Sequence, residues 1–352
     1  MARQHRGTFG CLLRTPLTMT PPSPLEGLSI LITGATGSFG RQAVRTLLDR
    51  HAPRRLVVFS RDELKQAEMA TEWSGPAMRY FIGDVRDRDR LATAMQGVDL
   101  VIHAAALKRV DAAEYNPMEC IKTNIGGTEN VIQAALANGV AKVVVLSTDK
   151  ATNPVNLYGA TKLAADKLTV AANNFAGQNP TRLSVVRYGN VAGSRGSVVP
   201  LFRRLAAEGT RDFPITDLRM TRFWLTQADA VDFVLTATTR MQGGEIFVPK
   251  LPSVRICDVA TAIAPGLPHR VIGRRPGEKL HEVLCPAEDS PLTLEFARHF
   301  VIKPSIRFNS RTNDFDTDAL GDSGTPVVDG FAYDSGTNAR FLSVDDIRAI
   351  IT

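Results

Sequence analysis

Residues Val143 to Lys162 read VVVLSTDKATNPVNLYGATK. The first four, Val143 to Leu146, form an unbroken run of β-branched and aliphatic side chains. Such a run fits a strand covered on both faces, as in a parallel sheet. The chain then turns polar at Ser147, Thr148, Asp149 and Lys150, just past the strand's carboxyl end, where parallel sheets gather their chemistry. A helix starting after Asn156 would make Tyr158 and Lys162 neighbours at i and i+4, an ammonium beside a phenol. A free phenol has a pKa of about 10, so ionising it near neutrality takes roughly 4 kcal/mol of preferential stabilisation. Nearby cations and a hydroxyl donor such as Thr148 are the groups to supply it. A Tyr and a Lys at this spacing are in most proteins a half-buried ring and a solvated charge, so the flanking sequence decides what this pair means.

Upstream, Leu28 to Ile32 is a short apolar strand, followed by TGATGSFG (Thr33 to Gly40) and an amphipathic helix over Gln42 to Leu48. Gly34, Gly37 and Gly40, in GxxGxxG spacing, let the backbone turn tightly and approach a pyrophosphate at the helix amino end, with Thr36, Ser38 and Phe39 in the same turn. The second strand, Leu56 to Phe59, ends in Ser60, Arg61 and, one turn on, Lys65. A hydroxyl and two cations there suit the 2′-phosphate of NADP, where an NAD site usually carries an acid. Ser60 or Asp62 also fits as the cap of the helix DELKQAEMA. Tyr80 to Ile82 is a third strand, ending at Gly83-Asp84-Val85, with Asp84 placed to accept from an adenine amine. Val98 to Ile102 is a fourth, ending in His103 and the small residues Ala104, Ala105 and Ala106, over which a cofactor ribose lies flat; His103 reads as packing. A loop from Leu107 to Pro117 leads to a long helix that carries Asn124 and ends near Asn138-Gly139. Five strands alternating with helices predict an α/β fold built on a doubly wound parallel sheet.

Downstream, the strand Leu183 to Arg187 runs into YGNVAGSRGSVVP (Tyr188 to Pro200), where Asn190, Arg195 and backbone amides can hold the phosphates of a second ligand. Beyond it the pattern loosens into short elements, including Phe213 to Thr216, Glu245 to Val248 and RRPGEKLHE (Arg274 to Glu282). This gives a cofactor domain over 27–190, to which later segments return, and a smaller, mainly substrate-binding lobe over 191–352. Residues 1–26 read as a tail of Arg, Thr and Pro with no periodic apolar face. Met19 is an alternative start, and removal of residues 1–18 is expected to leave fold and turnover intact.

The formal charge of +6 does not signal nucleic acid. Arg3, Arg6 and Arg14 lie ahead of the first acid, Glu26, and no basic block is interleaved with aromatics. No apolar run approaches the roughly 20 residues of a membrane helix. The four cysteines, Cys11, Cys120, Cys257 and Cys285, lack metal-ligand spacing and suggest neither a disulfide framework nor a zinc site. The expected compartment is the cytoplasm, with no metal.

TGATGSFG, SRDELKQ, FIGDVRD, HAAALK, AEYNPMECIKTN, STDKATNPVNLYGATK, RYGNVAGSRGSVVP, ITDLRMTRFW and RRPGEKLHEV together resemble the extended short-chain dehydrogenase/reductases. More narrowly they resemble the inverting UDP-N-acetylglucosamine 4,6-dehydratases that begin pseudaminic acid synthesis, over about residues 28 to 350. The resemblance implies a Rossmann-type domain with bound NADP, a UDP-sugar substrate and a Thr148–Tyr158–Lys162 triad. Asp149 and Lys150 match the acid–base pair that separates dehydratases from sister epimerases. Lys108, Asn190, Arg195, Arg275 and Glu278 match positions that hold the nucleotide sugar, and Asn124 and Thr216 are further candidates. Arg109-Val110-Asp111 stands where the family often reads His-Val-Pro. The implied chemistry is oxidation at carbon 4 with Tyr158 as base, proton removal from carbon 5 by Lys150, protonation of the departing 6-hydroxyl by Asp149, and hydride return to carbon 6. Lys150 acts as a base only if desolvated or close to another cation. Alternatives on the same residues are a dehydratase that retains carbon 5, a 4-epimerase, and a non-catalytic NADP-sensing scaffold. The superfamily commonly dimerises through the helices at 118–138 and 157–173, so a homo-oligomer is expected.

Overall fold

The computed structural model describes residues 23–177, 179–194, 196–306 and 314–351. The expected tail therefore lies outside the described residues up to residue 22, as does the candidate Arg195. The first half alternates strand and helix: β1 (Ser29–Thr33), α1 (Ser38–Arg50), β2 (Arg55–Ser60), α2 (Glu63–Glu72), β3 (Met78–Ile82), α3 (Arg88–Ala94), β4 (Leu100–His103), α4 (Val110–Tyr115), α5 (Pro117–Ile121), α6 (Gly127–Ala137), β5 (Lys142–Thr148), α7 (Leu157–Phe175) and β6 (Arg182–Tyr188). The rest comprises β7 (Asn190–Val191), α8 (Val198–Ala207), β8 (Phe213–Ile215), β9 (Thr221–Leu225), α9 (Gln227–Arg240), β10 (Ile246–Pro249), β11 (Ser253–Arg255), α10 (Ile256–Ile263), β12 (His269–Val271), β13 (Val283–Cys285), β14 (Thr293–Glu295), β15 (His299–Ile302), β16 (Thr325–Pro326), β17 (Tyr333–Asp334) and α11 (Val344–Ile351).

Alternate residues of the central strands face opposite ways, and both sets are buried. Ile30, Ile32, Leu56, Val58, Leu100, Ile102, Val144 and Leu146 pack beneath α1 and α9. Leu31, Val57, Phe59, Val101, Val143 and Val145 pack against α3 and α6. Each such side chain contributes about 1.5–3 kcal/mol on leaving water, which is why these runs are apolar throughout. The sheet runs β16-β14-β15-β10-β6-β5-β4-β1-β2-β3. From β3 to β10 every pairing is parallel, while β15, β14 and β16 extend it antiparallel. The chain order reverses between β1 and β4, and a doubly wound sheet opens its ligand crevice at that point.

One feature differs from the expectation. The helix expected beyond Pro117 is α5, a π turn at Lys122–Gly126 and α6, and the loop ahead of it holds the short helix α4. The later strands β10, β14, β15 and β16 complete the sheet, and α9 covers it. The separate second core holds Phe202, Phe213, Ile215, Met220, Trp224, Val254 and Val259. It reaches the sheet through β7, which pairs with β9.

Candidate active site

A cleft of about 520 Å3 follows the carboxyl ends of the parallel strands from Ser60 and Arg61, past the glycine turn, to Tyr158, Lys162, Asn190 and Ser194. Gly34, Thr36, Gly37, Ser38, Phe39, Gly40, Ser60, Arg61, Lys65, Asp84, Val85, Ala104, Ala105, Lys108, Tyr158 and Lys162 all line it. The turn is shaped for backbone approach. Gly34 has φ +66°, and a Cβ there would stand 2.9 Å from the Ala105 backbone; one on Gly40 would stand 2.3 Å from Ala35 Cα. Pressed onto two alanines and opening a thirteen-residue helix, the turn fits a dinucleotide pyrophosphate.

The adenosine end is richer in ion pairs than the sequence suggests. Arg61 Nη1 lies 3.5 Å from Asp84 Oδ2, and Lys65 Nζ bonds Asp62, which also caps α2. Asp84 is further held by Arg86. Burial would raise its pKa, but the Arg86 bonds and charge outweigh that and lower it. A 2′-phosphate would therefore take Arg61 and Lys65 from existing partners. His103 is buried between Thr33 Oγ1 (2.7 Å) and Thr128 Oγ1 (3.2 Å). Burial, with the Lys162 charge, pulls its pKa down to about 3, so it packs as a neutral ring.

At the other end, β5 delivers Thr148 and then a tight turn, Asp149–Ala151. Asn156 caps α7, its Oδ1 accepting from the Gly159 amide at 2.8 Å, so the helix starts in time to place Tyr158 and Lys162 on its first two turns. Gly159 admits the fit, since a Cβ there would meet the Lys150 carbonyl at 2.1 Å. Thr148 Oγ1 donates to Asp149 Oδ1 (2.8 Å) and accepts from the Lys150 amide (3.3 Å), beside the Tyr158 phenol. Burial pushes that phenol up to about 12, against the Lys150 charge and the Thr148 hydroxyl that pull it down. Burial lowers Lys162, with Asp166 opposing. The phenol is thus neutral in the free protein, and only added positive charge beside it would bring its ionisation nearer neutrality.

Lys150 does not meet the condition for a resting base. Burial alone would lower its pKa, and the nearby Arg222 acts the same way, but Asp149 Oδ1 at 3.1 Å and Glu282 Oε1 at 3.2 Å outweigh both and raise it. It rests as an ammonium between two buried carboxylates. Glu282, Arg222 and Lys279 surround it from the second lobe and are not among the sequence candidates. Glu282 lies in the RRPGEKLHE motif, the one signal that pointed there.

The nucleotide-sugar candidates divide. Lys108 and Asn190 line the cleft, and the Asn190 Oδ1 is buried without a hydrogen-bond partner among the described residues. Asn124, Thr216, Arg275 and Glu278 are not on its wall. Asn124 is 1% exposed; its Oδ1 accepts from the Leu107 amide (2.8 Å) and its Nδ2 donates to the Leu107 carbonyl (2.9 Å) and Thr161 Oγ1 (3.0 Å). The π turn aims it at that loop, where it clamps the approach to Lys108. Thr216 is buried against Met220 Sδ at 3.3 Å. Glu278 accepts from the Arg275 amide at 3.1 Å and pairs with its guanidinium at 3.6 Å, both engaged within their own loop. Arg109 and Asp111, at the departure from the family pattern, pair with each other at 2.6 Å on the surface. Among the described residues no cluster of His, Cys, Asp and Glu could hold a metal.

The family described as polysaccharide biosynthesis protein matches residues 30–304. The UDP-N-acetylglucosamine 4,6-dehydratase (inverting) of Campylobacter jejuni is 58% identical over 92% of this chain and 97% of its own. The X-ray structure of Pen from Bacillus thuringiensis superposes with a TM-score of 0.81 at 34% identity, covering 93% of this chain and 98% of that one. The dTDP-glucose 4,6-dehydratase DesIV from Streptomyces venezuelae, solved with NAD bound, superposes at 0.65 and 24% identity over 72% of this chain and 87% of its own, a likeness of fold. With the glycine turn, the strand-end residues of β5 and the start of α7 in one cleft, the chain belongs to the polysaccharide biosynthesis protein family and is an extended short-chain dehydrogenase/reductase related to the inverting UDP-N-acetylglucosamine 4,6-dehydratases.

Proposed function

We propose that this protein removes water from UDP-N-acetylglucosamine to give a 4-keto-6-deoxy sugar inverted at carbon 5, with NADP as resident cofactor and no net redox change. One arrangement carries the proposal: Asp149 and Lys150, hydrogen-bonded at 3.1 Å, share a cleft with Thr148, Tyr158 and Lys162. A 4-epimerase on this scaffold has no use for that pair.

A nicotinamide bound along the cleft supplies the acceptor for the carbon 4 hydride and the donor that returns it to carbon 6. Tyr158 takes the proton of the 4-hydroxyl. Thr148 has one hydroxyl proton, given to Asp149 in the free protein, and turning it to the phenolate stabilises the charged form. The new ketone acidifies the hydrogen on carbon 5. Elimination then needs a base at carbon 5 and an acid at the 6-hydroxyl, and Asp149 and Lys150 hold one proton between them. Its transfer along their hydrogen bond turns ammonium and carboxylate into amine and carboxylic acid. Lys150 takes the carbon 5 proton, Asp149 protonates the departing hydroxyl, and the pair is again ammonium and carboxylate. The elimination itself consumes no outside proton. As hydride returns to carbon 6, carbon 5 takes a proton from solvent on the opposite face, balanced by the proton that Tyr158 took from the 4-hydroxyl and gives up to solvent.

Ser60, Arg61 and Lys65 support NADP over NAD. Exposed Tyr115 and Met118, at 87% and 58%, support self-association through this region, and no described helix is long and apolar enough to cross a membrane. We place the enzyme in the cytoplasm as a homo-oligomer, its product feeding pseudaminic acid synthesis. Incubation with UDP-N-acetylglucosamine and no reductant is expected to give a product lighter by one water, and Lys150→Met to stop water loss with the nucleotide still bound. A product of unchanged mass, altered at carbon 4, would refute the assignment.

A further inference from the structure

Glu282 belongs to the second lobe yet ends beside the chemistry of the first. It is 2% exposed. Its Oε1 lies 3.2 Å from Lys150 Nζ and 3.7 Å from Arg222 Nε, and its Oε2 lies 3.8 Å from Lys279 Nζ with no hydrogen-bond partner among the described residues. A buried carboxylate with an unsatisfied oxygen is costly to keep, and the local fold does not need it. The surrounding backbone is fastened by other groups. Arg222 donates to the Lys279 and Leu280 carbonyls. Ser335 accepts from the Glu282 amide at 2.9 Å and donates its own amide to the Glu282 carbonyl at 2.8 Å. Arg187 donates to the Leu284 carbonyl at 3.1 Å. The segment would hold its place with a neutral side chain at 282, so the carboxylate acts on the cations.

Resting on the dehydratase assignment, we infer that Glu282 is a positioning residue for the elimination, holding Lys150 Nζ against Asp149 and governing how readily that pair exchanges its proton. The groups facing Lys150 are Asp149 on its own turn, Glu282 and Lys279 ahead of β13, Arg222 on β9 and Tyr158 on α7. Glu282 favours the ammonium, and Arg222 and Lys279 oppose it. The balance keeps Lys150 charged at rest and lets the amine form beside a substrate that excludes water. The second lobe thereby completes a catalytic pair lying wholly on the turn that follows β5.

The test compares wild type with Glu282→Gln, Glu282→Asp and Lys279→Met across pH. It follows water loss, solvent deuterium at carbon 5, reduced-nicotinamide absorbance on mixing with UDP-N-acetylglucosamine, and melting temperature. Glu282→Gln is expected to slow water loss and carbon 5 exchange by about 100-fold or more while oxidation at carbon 4 changes only a few-fold, so reduced nicotinamide accumulates. With the carboxylate charge gone, the amine forms more easily, and the acidic limb of water loss moves to lower pH by about one unit or more. Glu282→Asp is expected to recover part of the rate. Lys279→Met removes an opposing cation and should move the limb the other way. A Glu282→Gln enzyme that slows both steps equally with its limb unmoved, or that turns over like wild type, overturns the inference. If Glu282→Gln does not fold, an unmoved limb in Lys279→Met overturns it. Wild type that releases no water at any pH would fail first, and would remove the dehydratase assignment together with this one.

Discussion

Replacing Asn124 by alanine separates a clamp from a substrate contact. The side chain makes three good hydrogen bonds, two to the Leu107 backbone and one to Thr161, at 2.8, 2.9 and 3.0 Å. It sits at 1% exposure, where water does not replace it. Stranding buried partners costs about 1–3 kcal/mol each. Some relief comes from Leu107, which is only partly buried, so the total is about 3 kcal/mol. For a chain of this size that lowers the melting temperature by on the order of 6 °C. The loop from Ala104 to Lys108 loses its anchor, so amide exchange at Leu107 should rise and the KM for the UDP-sugar should increase as a secondary effect. Differential scanning calorimetry and hydrogen exchange on the purified variant are the assays. A variant with wild-type melting and exchange but a raised KM would show that Asn124 touches the substrate and that the clamp is wrong.

Arg61→Ala is expected to weaken NADP at least tenfold more than NAD, because only NADP loses a charge-assisted partner; equal losses in titrations of both nucleotides would refute the 2′-phosphate assignment. Gly40→Ala brings a methyl to 2.3 Å from Ala35 Cα, a backbone contact that cannot rotate away. It should cost about 3 kcal/mol or more and release bound nucleotide, whereas a stable, nucleotide-loaded variant would contradict the packing described for the turn.

What the sequence disclosed, it disclosed locally. The strands of the first half are runs covered on both faces, so Val143 to Leu146 could be read without its neighbours, and the polar residues at its end pointed at the crevice. The helix cap at Asn156 and the i, i+4 spacing of Tyr158 and Lys162 are equally local. The break in the helix expected after Pro117 was hidden because a π turn leaves composition and periodicity almost unchanged, and with it went the role of Asn124. The charge state of Lys150 depends on Glu282 and Arg222, which meet it only because β9 and the segment before β13 fold back onto the β5 turn. No spacing rule reports contacts across 72 and 132 residues. Arg61 and Lys65 were legible as cations, whereas their pairing with Asp84 and Asp62 needed side-chain geometry.

The most direct test of the account follows two hydrogens through one turnover. UDP-N-acetylglucosamine carrying deuterium at carbon 4 is incubated with the enzyme in ordinary water, and the unlabelled substrate in deuterium oxide, with no added reductant. Proton NMR and mass spectrometry read both products. The account predicts loss of one water in each case, the carbon 4 label recovered in the carbon 6 methyl, solvent deuterium at carbon 5, and inverted configuration at that carbon. A carbon 4 label returned to carbon 4 without water loss, or water loss with carbon 5 retained, would contradict it.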